Sequence, residues 1–326
     1  MKCLSLVYGS FGKPAEVLKL EEGDLSGALA AGEVVVGLVA SPVHPSDMGM
    51  ISGTYGKLPT LPAVGGREGL GRIVDAGASA GDLIGKLVKF PFGAWRSVAV
   101  ARASDLFFVP DGVDVYQASM AFINPLTAWM LLNSIRELKP GDWIIQNAAN
   151  SAVGVAVMQI AGAMGIRTIN LVRNAAARSE RLMASGATAV FDEDAFDPKA
   201  LGDHTDGNLP LLGFNSIGGD SAMKIIKSVA RGGEVVTFGG MVGDRVRFPT
   251  RELIFKDLRL RGFWLDGWAS AQSHCKMQAM YAIVFDLIRR GTVRIPVHST
   301  ARLSDGPAAL ISAYEASKDG KVIVVQ

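Results

Sequence analysis

Asp142-Trp143-Ile144-Ile145-Gln146-Asn147-Ala148-Ala149-Asn150-Ser151-Ala152-Val153-Gly154 is the stretch that decides how this chain is built. Residues 142–147 (DWIIQN) have the length and apolar character of a buried strand, and the small residues after them form a tight turn opening a helix over 153–164. The next apolar run, 167–172 (RTINLV), reads as a second strand, so the three segments make one βαβ unit. In such a unit the helix N-terminus offers backbone N–H groups and a positive dipole end to a phosphate. Small side chains in the turn let that backbone approach closely. Of the glycines in a full G-x-G-x-x-G only Gly154 is present, so the motif takes its meaning from the strand before it and the helix after it. The bland alternative is a βα turn that binds nothing.

Outward from this unit toward the C-terminus the alternation continues. Strands are expected over 189–191, 209–214, 234–239 and 258–264, with a helix over 221–230 and a long helix over 275–290 that closes the domain. This is the pattern of a doubly wound parallel sheet. Toward the N-terminus, short apolar runs such as 33–40 and 87–92 are bounded by Gly, Pro, Asp and Ser, which marks short β-strands. The expected organisation is a β-rich domain of residues 1–120, rejoined by 297–326 with a helix over 307–316 and a strand over 321–325, and a second α/β domain of 121–296.

A length of 326 residues suits two such domains. Lys and Arg total 33 against 31 Asp and Glu, with no basic run, which argues against a nucleic-acid partner. The only cysteines, Cys3 and Cys275, lie far apart in sequence, as expected of a reducing compartment. The first residues lack the unbroken apolar core of a signal peptide, and no apolar run nears the roughly 20 residues that cross a bilayer. A cytoplasmic protein without a membrane span is therefore expected.

The second strand ends in Val172-Arg173-Asn174, with Arg178 and Arg181 close behind. An acidic residue at that place would favour the ribose hydroxyls of NAD, whereas a guanidinium can grip the additional phosphate of NADP in bidentate fashion. NADPH is the cofactor this predicts, a solvated surface arginine cluster being the alternative.

Asn124-Pro125-Leu126-Thr127-Ala128-Trp129, Gln146 to Ser151, Thr168 to Arg173, Phe238-Gly239-Gly240-Met241, Leu253 to Asp257 and Leu260 to Trp264 together resemble the mitochondrial-type enoyl thioester reductases. These are zinc-free members of the medium-chain dehydrogenase/reductase superfamily. Pro45-Ser46-Asp47, Gly53-Thr54-Tyr55-Gly56 and Leu61 to Gly66 extend the likeness over most of the chain. The resemblance implies a GroES-like β-rich catalytic domain and a Rossmann cofactor domain, a homodimer, and NADPH between the domains. It places Asn124 near the nicotinamide ribose, Asn150, Ser151, Ala152 and Val153 at the pyrophosphate, and Arg173 at the 2′-phosphate. It also places Phe238, Gly239, Gly240, Met241, Phe263, Trp264 and Leu265 along the nicotinamide half and makes Lys321 a further cofactor contact. Ala152 stands where the family more often has Gly, and Ala175 where it often has a second Arg, which relaxes the preference for NADPH.

Zinc enzymes of this superfamily need two thiolates and an imidazole for the catalytic metal and four cysteines for a structural one, a supply that two distant cysteines do not meet. Where they present a liganding histidine, this chain reads Gly65-Gly66-Arg67-Glu68-Gly69. Reduction of a conjugated double bond needs no Lewis acid, because the carbonyl is already an electron sink. Hydride goes to the β-carbon, charge develops on the thioester oxygen, and a donor must meet it. Tyr55 matches the family's active-site tyrosine, and a phenol, protonated at neutral pH, can donate there. His44, commonly Asn in the family, is expected in a structural role, and Asp47 as the cap of a helix starting near Met48. Arg67 and Glu68 are expected to pair with each other or line the cleft mouth, Trp264 to wall the acyl pocket, and Ser46 lacks the elbow of a hydrolase nucleophile. The expected activity is NADPH-dependent reduction of trans-2-enoyl thioesters of coenzyme A or acyl carrier protein. Its rivals are a zinc-free quinone or alkene reductase and an NADPH-binding sensor without turnover.

Overall fold

A computed structural model describes residues 1–241, 249–316 and 319–326. The chain forms two compact units, Met1–Ile123 with Ser273–Gln326, and Asn124–Gln272.

The first unit opens with β1 (Lys2–Tyr8), β2 (Lys19–Asp24), β3 (Glu33–Pro42), β4 (Ala63–Val64), β5 (Leu70–Ala76), β6 (Leu87–Lys89) and β7 (Val98–Arg102). In the second unit follow β8 (Trp143–Gln146), β9 (Arg167–Val172), β10 (Ala189–Asp192), β11 (Leu212–Asn215), β12 (Glu234–Thr237) and β13 (Arg259–Gly262). The chain then returns to the first unit with helix His274–Arg289, β14 (Val297–Arg302), helix Gly306–Ala316 and β15 (Lys321–Val325).

In the first unit one sheet runs β2-β1-β4 and a larger one β14-β15-β3-β5-β6, with β7 pairing β3. The long β3 (EVVVGLVASP) is buried along nearly its whole length, since it pairs with β5, β7 and β15. Val34, Val36, Leu38, Ile73, Val88, Phe90, Trp95, Val322 and Val324 form the core between these strands.

The helix His274–Arg289, expected to close the second domain, belongs to the first unit. Tyr281 and Phe285, one helical turn apart, both meet Phe122 edge-on, with ring centroids 5.1 and 5.7 Å away. Gln278 on the same helix exchanges two hydrogen bonds of 3.2 Å with the backbone of Phe108. These contacts move the second crossover to Ser273 instead of 297.

In the second unit the sheet order is β10-β9-β8-β11-β12-β13, and every pair is parallel. β8, β9 and β11 are buried almost throughout, as helices covering both faces of a parallel sheet require. The order reverses between β8 and β11, so the C-terminal ends of these two strands mark the place where such sheets bind ligands. No helix among the described residues is long and apolar enough to cross a membrane.

Gly65 and Gly66 decide where the segment after β4 can go. A Cβ on Gly65 would stand 2.3 Å from Trp95 Cε3, and Gly66 has φ +89° with Trp95 N 2.8 Å from its would-be Cβ. The fully buried indole thus lies flat on two residues without side chains. Gly65→Ala is expected to destabilise the protein by about 1–3 kcal/mol through overpacking, read as a lowered unfolding midpoint. Gly81→Ala, where nothing lies within 4 Å of the added methyl, should leave the midpoint nearly unchanged. Equal effects of the two substitutions would contradict this packing.

Candidate active site

In the second unit, β8 leads into a turn in which Ala148 takes φ +44° and Ser151 caps the helix Ala152–Ala163 by accepting from Gly154 N at 3.2 Å. A Cβ on Gly154 would lie 2.6 Å from the Ala149 carbonyl oxygen, so only glycine lets the helix start this close to the turn. The N–H groups of Ala152 and Val153 fall in the first helical turn, outside the helix's own ladder. Here the sequence expectation of a helix N-terminus behind a small-residue turn coincides with the structure.

Around this turn the ends of four strands are tied by buried amides. Asn147 donates to Asn215 Oδ1 and to Ser221 Oγ, both at 2.8 Å, and accepts from Ser216 N at 2.8 Å. Asn215 in turn donates to Thr237 Oγ1 at 3.1 Å. Gln146 joins Asn170 at 2.8 Å across β8 and β9. Phe238 N donates to the Asn215 carbonyl, Met241 N to the Ser216 carbonyl and Phe263 N to the Thr237 carbonyl. Asn150 to Val153, Phe238 to Met241 and Phe263 to Leu265 therefore lie along one edge of one sheet, held by hydrogen bonds that the sequence reading did not foresee. Amides at the ends of apolar strands were the available signal.

Arg173 follows β9 with its side chain exposed, and Arg178 Nη1 donates to the Arg173 carbonyl at 2.6 Å, bringing two guanidinium-bearing residues to that corner. Asn124 is buried at the start of the helix Asn124–Asn133. Trp264 is exposed, with part of its indole packed on Gly267. A free backbone at the helix start, a turn closed to side chains and a cationic corner at the second strand fit a phosphorylated dinucleotide such as NADPH.

Tyr55 and Lys321 belong to the first unit. The helix Pro45–Ile51 begins at Pro45, three residues earlier than expected, because His44 is its N-cap and Asp47 its third residue. Asp47 Oδ2 accepts from His44 N at 2.7 Å and its Oδ1 from Arg67 N at 2.8 Å, so this carboxylate caps the helix and anchors the glycine loop. After the helix, Gly53 at φ +79° turns the chain against Phe11, and Tyr55 N returns to the Gly49 carbonyl at 3.1 Å. The half-buried Tyr55 ring lies under the guanidinium of Arg67, whose Cζ is 4.7 Å from the ring centroid. Arg67 Nη1 also donates to Ser46 Oγ at 2.8 Å.

Arg67 and Glu68 do not pair. Glu68, fully buried, takes His44 Nε2 at 2.7 Å on Oε1, while Lys321 Nζ meets His44 Nδ1 at 2.8 Å and donates to the Val43 carbonyl at 3.0 Å. An ammonium only donates, so Nδ1 accepts and the proton of a neutral His44 sits on Nε2, directed at Glu68. Lys321, expected as a cofactor contact, thus commits two of its donors inside its own unit. Glu68 Oε2 is buried without a hydrogen-bond partner. The bend at Arg67, directly after Gly66 at φ +89°, lets the two neighbours take different partners: Arg67 meets Ser46 and the Tyr55 ring, and Glu68 meets His44. Among the described residues no group of three or more His, Cys, Asp or Glu is placed to hold a metal ion.

Burial pushes the Glu68 carboxyl up to about 8, against the pull of Lys321, and the Asp47 carboxyl up to about 6. It pushes the Lys321 ammonium down to about 8 and, reinforced by the charges of Lys321 and Arg67, holds His44 well below the usual imidazole value. A carboxyl raised in the folded state contributes stability that is full below its unfolded value and is lost as pH rises through its folded one. A depressed ammonium acts at the other end, its contribution being lost as pH falls through about 8. His44, neutral in the fold, opposes this trend up to its unfolded value near 6.5, so Glu68 governs the slope between about pH 7 and 8, and the thermal midpoint is expected to fall as pH rises through that window. Glu68→Gln, which mimics the protonated carboxyl, should flatten the slope; an unchanged slope in the variant would contradict the assignment.

The sequence of residues 152–280 matches the family described as zinc-binding dehydrogenase. The human mitochondrial enoyl-[acyl-carrier-protein] reductase is 39% identical over 98% of this chain and 88% of its own length. A structure described as the complex of Etr1p with NADP and crotonyl-CoA superposes with a TM-score of 0.90 at 27% identity, covering 100% of both chains. An NADPH:quinone reductase structure from Bacillus thuringiensis gives a TM-score of 0.91 at 28% identity, covering 100% of this chain and 99% of the other. A β-rich unit rejoined by its own C-terminal strands, a 3-2-1-4-5-6 parallel sheet and end-to-end identity of this order lead to one conclusion: the chain belongs to the mitochondrial-type enoyl-[acyl-carrier-protein] reductases of the medium-chain dehydrogenase/reductase superfamily.

Proposed function

We propose that this protein reduces the C2–C3 double bond of trans-2-enoyl thioesters, carried on coenzyme A or acyl carrier protein, using NADPH. The observation that carries this reading is the 39% identity over nearly the whole chain to an enoyl reductase, in a chain whose tyrosine loop is intact.

Residues Asn150 to Val153 receive the pyrophosphate at the helix start, and Arg173 the 2′-phosphate. Phe238 to Met241 and Phe263 to Leu265 line the nicotinamide half, with Asn124 at its ribose. Bound there, NADPH supplies the hydride. Tyr55 donates its phenolic hydrogen to the thioester oxygen as charge gathers there, and so lowers the barrier to forming the enolate. Lys321 directs its remaining donor capacity to the cofactor while His44 and the Val43 carbonyl hold it in place. A quinone reductase is the second reading, favoured by the likeness to the Bacillus thuringiensis protein.

The protein works as a homodimer built on β13. This edge strand is exposed at all four residues, Arg259–Gly262, and on the neighbouring helix Thr250–Phe255 the side chains of Ile254 and Phe255 are 63% and 64% exposed. An edge that pairs with β12 alone among the described residues, flanked by apolar side chains, invites pairing, and a second copy offers the same edge in return.

Tyr55→Phe is expected to lower kcat for crotonyl-CoA roughly 10²–10³-fold, as loss of one oxyanion donor does, while the NADPH dissociation constant stays within about threefold. Thioester turnover indifferent to the hydroxyl, or activity with quinones alone, would refute the assignment. In light scattering the protein should have the mass of two chains, and Leu260→Asp should yield single chains; a wild-type monomer would rule out the edge-paired dimer.

A further inference from the structure

We propose that Arg67 is a positioning residue for Tyr55, fixing the ring and polarising its O–H so that the phenol donates more strongly as charge builds on the acceptor. This rests on the reading of Tyr55 as the donor in enoyl reduction.

Three observations carry it. The guanidinium carbon stands 4.7 Å from the centre of the Tyr55 ring, within the range at which a cation is drawn to the negative face of an aromatic system. Arg67 is also held at both ends, its backbone N–H by Asp47 Oδ1 at 2.8 Å and its Nη1 by Ser46 Oγ at 2.8 Å. Finally, the residues before it cannot shift, because the indole of Trp95 lies against Gly65 and Gly66. Tyr55 is pinned as firmly, through its N–H to the Gly49 carbonyl. The stack therefore joins two anchored groups, unlike a chance meeting of surface side chains.

The chemistry follows from charge. A guanidinium is planar and keeps its charge at any working pH, so it covers the ring face continuously. As the O–H gives up part of its hydrogen to a developing enolate, electron density returns to the ring and its attraction to the cation grows. An interaction that strengthens toward the transition state raises kcat and leaves ground-state binding alone. Lysine in the same place would retain the charge and lose the planar guanidinium over the ring.

The test compares Arg67→Met and Arg67→Lys in the wild type and in the Tyr55→Phe background, with crotonyl-CoA and NADPH as substrates and fluorescence titration of NADPH to confirm a folded, cofactor-binding protein. Arg67→Met is expected to lower kcat about tenfold with the thioester KM and the NADPH affinity within about twofold. Arg67→Lys should recover part of the loss. With Tyr55→Phe already in place, Arg67→Met should cost less than about threefold, since no O–H remains to polarise. A tenfold loss of kcat in both backgrounds would overturn the proposal, as would a loss confined to KM or to NADPH affinity, which would make Arg67 a ligand contact. If Tyr55→Phe alone leaves kcat intact, the donor reading itself fails, a result seen in that single variant independently of Arg67.

Discussion

Burial of ionisable groups around His44 is the constraint on which the first unit depends. Lys321, His44 and Glu68 join end to end out of water, and Asp47 lies beside them with both carboxylate oxygens occupied by backbone N–H groups. Charges so placed are costly unless each meets a partner, and removing one partner strands the rest. The chain answers by bringing together three distant segments: the end of β3 with the helix after it, the glycine loop at 65–69, and the start of β15. Sequence separation of nearly the whole protein is closed by one ammonium on one imidazole. The loop that carries Arg67 and the helix that leads to Tyr55 thereby share a single anchor, Asp47.

The second unit solves a similar problem with neutral groups. Parallel strands packed on both faces leave little room for polar side chains, yet Gln146, Asn147, Asn170 and Asn215 are all buried where β8, β9 and β11 end. Each finds partners on a neighbouring strand or on the turn that follows it. A fully satisfied network in a region of low polarisability is rigid, because any displacement leaves a donor unpaired. The turns that present Asn150 to Val153 and Phe238 to Met241 inherit that rigidity. The edge proposed to hold NADPH thus stands on amides instead of on bulk packing.

Apolar patterning was legible in both units, since 167–172 in the alternating half and 321–325 in the β-rich one are strands at the residues expected. Segments 234–239 and 258–264 end early, at Thr237 and Gly262, because their last residues pass into the turns after the strands. Hydrophobicity is blind to that change of task. The helix His274–Arg289 shows a different gap: its stripe of Met277, Tyr281 and Phe285 announces a buried face without saying which domain buries it. Glu68 and Arg67 show a third, for neighbours of opposite charge suggest a pair, whereas in the fold each takes a different partner, His44 and Ser46. Tyr55, by contrast, was found only through resemblance, since a loop tyrosine has no periodic signature.

A phenol beside an anchored cation, a helix start capped by Ser151 and kinship to enoyl reductases agree with delivery of hydride to one carbon and a proton to the next. The most direct measurement is mass spectrometric and NMR analysis of the product formed from crotonyl-CoA and NADPH deuterated at the transferable position, in ordinary water. The account predicts a saturated thioester with one deuterium at the β-carbon and a solvent-derived hydrogen at the α-carbon. Recovery of unreduced thioester, or deuterium at the α-carbon, would contradict it.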